Sequence, residues 1–104
     1  AQASGESWGP LHGVPMTIKD SLDTANLIST GGTLGRANFV PERDATVVRR
    51  ALEAGAILLG KTNTPEFASM TVTDNAVFGV TLNPWDPELH AGGSSGGAAA
   101  AVAG

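Results

Sequence analysis

The run Gly92-Gly93-Ser94-Ser95-Gly96-Gly97, followed at once by Ala98 to Val102, constrains the fold of this chain more than any other segment. Glycines leave the backbone free to adopt conformations closed to other residues. Good helix formers follow without a break. The pattern predicts a tight loop feeding the N-terminus of a buried helix, with two serine hydroxyls and backbone N–H groups presented together. Such a place suits a developing negative charge. A flexible Gly/Ser linker has a similar composition, but linkers are seldom followed by an apolar helix.

At 104 residues the chain is one small domain or a piece of a larger one. Hydrophobic residues make up 41% and charged residues 15%, which excludes a disordered sequence. A net charge of −4 argues against non-specific nucleic-acid binding, which needs clustered Lys and Arg. Without cysteine there are no disulfides, thiolate nucleophiles or Cys-based zinc sites. His12 and His90 alone could not complete a typical metal site, so no metal is expected. The N-terminal residues lack the basic and apolar regions of a signal peptide. The longest strongly apolar run, residues 98–103, is too short to cross a membrane. A cytoplasmic location without membrane or nucleic-acid partners is the expectation. The first residue is not Met and the chain stops inside an Ala-rich helix, so truncation at both ends is expected.

Residues 16–20 alternate apolar and polar, as a half-buried strand does. Met16 and Ile18 share one face, and Thr17 and Lys19 share the other. Residues 21–43 read as loop. Asp44 is positioned as an N-cap for a helix over 45–54, with Val48 and Leu52, and Val47 and Ala51, on one apolar face. Gly55 suits the C′ position. Ala56-Ile57-Leu58-Leu59-Gly60 then reads as a continuous apolar run, a strand buried on both faces. Helix, glycine and buried strand together form half of a βαβ unit, which makes the chain α/β. Thr64 is placed to cap a short helix beginning at Pro65. Residues 71–91 read as loop, with a firm turn at Asn83-Pro84-Trp85-Asp86-Pro87 and Trp85 as its hydrophobic anchor.

A serine nucleophile needs a base to take its proton. Neither histidine has an evident carboxylate to orient it, and both read as loop residues. A lysine serves if it is neutral, which requires desolvation or a nearby cation. Lys19, at the end of a strand, and Lys61, after a buried run, invite the same suspicion. Either also reads as a solvated strand-end lysine. Asp20 alternates away from Lys19 and carries no catalytic role.

These stretches together resemble the amidase signature family of serine hydrolases. They run in order: Pro10 to Pro15, Ile18-Lys19-Asp20, Asp44-Ala45, Ala54-Gly55-Ala56, Gly60 to Ala68, Phe78-Gly79, Asn83 to Asp86, and Gly92 to Gly97. The resemblance implies part of an α/β domain whose mixed sheet is covered by helices on both faces. It implies cleavage of a carboxamide or related acyl–nitrogen bond, carbamates included, by a Ser–Ser–Lys triad without any cofactor. In that triad Lys19 is the lysine, and Ser94 is the bridging serine, reached through a cis peptide bond. Gly92, Gly93 and Ser95 support the loop and the oxyanion site, and Met70 and Thr71 are candidates to line the substrate cleft. The nucleophilic serine of the family falls in a later Gly-Ser motif, beyond residue 104. An isolated piece of this length is therefore expected to be inactive and to need the remainder of its domain. Asn63, Glu66 and Asn75 read as loop-holding residues that bond to backbone.

Two other classes fit parts of the pattern. One is a Gly-rich anion- or nucleotide-binding module, although the loop lacks the Gly-Lys-Ser/Thr ending of a P-loop and the G-x-G-x-x-G spacing. The other is a non-catalytic structural fragment.

Overall fold

The computed structural model describes residues 2–104. Two strands and two helices form its frame: β1 (Pro15–Lys19), α1 (Thr46–Glu53), β2 (Ile57–Thr62) and α2 (Gly96–Ala103). β1 and β2 pair in parallel, so β1-α1-β2 is a complete strand–helix–strand unit and the α/β class holds. Single 3-10 turns lie at Gln2–Ser4, Leu34–Arg36 and Glu66–Ala68. α2 packs against both strands. Among the described residues no helix is long and apolar enough to cross a membrane.

α1 ends as its sequence dictates. Gly55 takes φ +97°, its N–H donates to Leu52 O at 2.9 Å, and Ala56 N donates to Ala51 O at 3.2 Å. These two bonds are a Schellman cap, and glycine supplies the left-handed residue that the cap requires. The N-terminus departs from expectation. The helix starts at Thr46 and its N-cap Ala45 makes no side-chain bond. Asp44 does not cap it, because its Oδ1 accepts the Ala25 N–H at 2.7 Å from a distant loop. Val48 is buried while Val47 is exposed, so the apolar face is narrower than its spacing suggests.

β2 is not buried on both faces. Met16 pairs with Leu58, but Thr17 pairs with Gly60, so Leu59 is the extra residue of a bulge and stands 68% exposed. Beyond the bulge Ile18 aligns with Lys61 and Lys19 with Thr62. Register partners in a parallel pair share a face, so the two lysines leave the sheet on opposite sides.

The interior is held by hydrogen bonds as much as by apolar packing. Ile18 and Val48 are its buried hydrophobic residues, alongside buried Asp20, Thr24, Ser29, Thr30, Thr62, Thr64, Thr73 and Asn75. α2 is buried only at Gly96, not along its length, and Val102 is 89% exposed. With apolar residues all round, it has an outer side that nothing among the described residues covers. Thr64 does not cap the 66–68 turn, since its Oγ1 donates to Pro65 O. Trp85 is 82% exposed and does not anchor its turn. Asn83 closes that turn instead, accepting Trp85 N–H on Oδ1 at 2.9 Å and donating its own N–H to Leu89 O.

Candidate active site

Lys19 and Ser94 are 75 residues apart in sequence, yet Lys19 Nζ lies 2.6 Å from Ser94 Oγ and 3.0 Å from Ser95 Oγ. Strand alternation sends Lys19 to the face that α2 covers, and the Gly92–Ser95 loop enters α2 there. The Gly93–Ser94 peptide is cis. Desolvation lowers the Lys19 pKa from its ordinary value, which favours the neutral amine.

The four glycines serve two purposes. Gly92 takes φ +79°, a conformation that L side chains rarely adopt. The other three are glycines because backbone or a buried side chain comes too close for a Cβ. A Cβ on Gly93 would lie 2.8 Å from the Thr71 carbonyl carbon and 2.9 Å from Met70 O. One on Gly96 would lie 2.4 Å from Thr73 Oγ1, and one on Gly97 would lie 2.3 Å from Asn63 N. Met70 and Thr71 are thus brought against the loop through their backbone, and both side chains are exposed.

An asparagine pair, half-buried Asn63 and buried Asn75, supports this floor. Asn63 donates to Gly79 O and Thr81 Oγ1, and its Oδ1 accepts from Thr64 N and Asn75 Nδ2. Asn75 donates also to Thr64 O and accepts from Val77 N and Phe78 N. Both hold loops as expected, whereas Glu66 contributes its carbonyl, which accepts from Ser69. His90 Nδ1 accepts Gly92 N–H at 2.9 Å, and His12 Nδ1 accepts Trp8 N–H at 2.9 Å. Both histidines fasten turns.

Lys61, equally suspect by sequence, sits elsewhere. Its Nζ donates to Leu22 O, Thr24 Oγ1 and Ser29 Oγ, and lies 3.9 Å from Asp20 Oδ1. Burial holds its pKa below the ordinary value; Asp20, Asp23 and Asp44 oppose that shift and Arg36 adds to it. Asp20 faces away from Lys19 and accepts the Thr30 N–H and hydroxyl. Thr73, which no sequence signal marked, is fully buried. It donates to Gly92 O and accepts from Gly96 N. That second bond occupies a first-turn N–H that an anion at the helix N-terminus would use.

The whole described chain falls within one match: the Amidase family model covers residues 1–104. This chain belongs to the amidase family. It is 55% identical over 103 residues to a glutamyl-tRNA(Gln) amidotransferase subunit of Moorella thermoacetica, covering 99% of this chain and 21% of that protein. It is 49% identical over 102 residues to indoleacetamide hydrolase of Bradyrhizobium diazoefficiens, covering 98% and 20%. Among solved structures it superposes on native peptide amidase from Stenotrophomonas maltophilia with a TM-score of 0.88 and 39% identity, covering 98% of this chain and 22% of that one. The chain spans about a fifth of the length of these relatives.

Proposed function

We propose that residues 1–104 are part of a larger amidase-signature domain and carry the proton-relay portion of its active site. The observation that carries this reading is Lys19 Nζ at 2.6 Å from Ser94 Oγ, in a site where burial favours a neutral lysine. The nucleophilic serine is assigned to a segment outside these residues. Neutral Lys19 takes the Ser94 hydroxyl proton on its lone pair, and Ser94 takes the proton of the nucleophile. The nucleophile's oxygen bonds to the carbonyl carbon, and the carbon–nitrogen bond then breaks. The proton returns through Ser94 to the departing nitrogen, and water releases the acyl group by the same steps. Ser95, 3.0 Å from Lys19 Nζ, accepts one of its N–H bonds and so aims the lone pair at Ser94. Gly92 and Gly93 shape the loop, and Met70 and Thr71 border the cleft.

The substrate class is a carboxamide or related acyl–nitrogen compound. The relatives support this, since they comprise part of an amidotransferase, an indoleacetamide hydrolase and a peptide amidase. Exposed Leu59 and Val102 support the reading that further chain packs here. The test is to treat the full-length protein with a fluorophosphonate, which bonds phosphorus to an activated serine oxygen and expels fluoride, and to map the adduct. One adduct on a serine outside residues 1–104, and none on the isolated 104-residue piece, is expected. An adduct on Ser94 or Ser95 overturns the assignment.

A further inference from the structure

The Thr73 hydroxyl bonds to neither Lys19 nor Ser94, yet it holds both ends of the loop that carries Ser94. Oγ1 donates to Gly92 O at 2.9 Å and accepts from Gly96 N at 3.0 Å. One proton and one lone pair thus bracket Gly93, Ser94 and Ser95. The clamp is itself fixed. Thr73 is fully buried, and its carbonyl accepts Thr81 N–H at 2.9 Å. Gly96 approaches so closely that a Cβ there would strike Thr73 Oγ1. Gly93 rests on the backbone of Met70 to Val72, just ahead of Thr73 in sequence. The loop between the two clamped groups therefore has little freedom to move Ser94 along or away from Lys19.

We infer that Thr73 is a positioning residue, whose hydroxyl sets the Ser94–Lys19 separation and hence the reactivity of the nucleophile. The inference rests on the relay proposed above. Reactivity depends steeply on that placement, since a misplacement of about 1 Å can cost about a hundredfold in rate. Valine fills the same space as threonine but leaves Gly92 O and Gly96 N without their buried partner.

The experiment measures fluorophosphonate labelling of the full-length protein, with the maximal rate kinact separated from the inhibitor constant KI, in wild type, Thr73→Val, Thr73→Ala and Thr73→Ser. Thr73→Val is expected to lower kinact by roughly ten- to a hundredfold with KI unchanged. Its acid limb in the pH profile should also shift, because Lys19 loses its fixed partner. Thr73→Ser keeps both hydrogen bonds and should return kinact to within about threefold of wild type. If the valine variant does not fold, Thr73→Ala, which admits water to the freed groups, must show the same fall. Wild-type kinact and an unshifted pH profile in a folded hydroxyl-free variant overturn the inference. So does a serine variant as impaired as the others. Lys19→Met separates this from failure of the relay itself. An inactive Lys19→Met beside a fully active Thr73→Val removes Thr73 alone, whereas a fully active Lys19→Met removes the relay.

Discussion

Lys19 and Lys61 stand on neighbouring parallel strands, one register position apart, and have opposite surroundings. Lys61 points to the loop side. There it meets a backbone carbonyl and two hydroxyls, with the Asp20 carboxylate 3.9 Å away. Those three acceptors use all three protons of an ammonium, so the arrangement suits a charged lysine that ties residues 22–29 to the sheet. Lys19 points to the α2 side and meets two serine hydroxyls, which can give protons as well as take them. Burial lowers its pKa and no carboxylate opposes that. What separates the two lysines is the face of the sheet, and the bulge at Leu59 sets the register from which those faces follow.

The comparison breaks most sharply under substitution. In the full-length protein, Lys19→Met should lower the fluorophosphonate labelling rate by roughly a hundred- to ten-thousandfold, the usual contribution of a positioned acid–base group. Its unfolding midpoint should move little, because the Lys19 side chain is only partly buried. Lys61→Met should do the reverse. It deletes three hydrogen bonds and the cation beside Asp20, costing about 1–3 kcal/mol of stability in denaturant unfolding. Its labelling rate per folded molecule should stay within a few fold of wild type. Equal activity losses in the two variants would erase the distinction. A smaller effect sharpens it. Gly97→Ala places a Cβ against the Asn63 backbone, which cannot swing aside, and should cost about 1–3 kcal/mol. A neutral Gly97→Ala would mean that the floor beneath α2 is looser than the structure shows.

Local chemistry is legible in the sequence wherever neighbours in the chain decide the outcome. The alternation through Met16 and Ile18 produces β1, and Gly55 produces the helix cap. The ordered motifs lead to the family, and the resemblance pairs Lys19 with Ser94, which the fold places within hydrogen-bond distance. Local signals mislead where a distant partner competes for a group. Asp44 has every property of an N-cap, but Ala25 N–H claims its carboxylate. Leu59 looks like core, but the register bulge turns it outward. The glycine run suggests conformational freedom, whereas three of its four glycines are required by close approach of residues 70–73 and 63. Thr73 carries no local signal at all, because its role exists only once Gly92 and Gly96 are brought to it.

The most direct test of the relay is the pH dependence of kinact/KI for fluorophosphonate labelling of the full-length protein. Desolvation lowers the Lys19 pKa, so the neutral base persists below the usual lysine range and is lost as pH falls through the lowered value. The rate is predicted to hold above that value and to fall about tenfold per pH unit below it. A rate that stays constant throughout the pH range in which the protein remains folded would contradict a neutral Lys19 acting as the base.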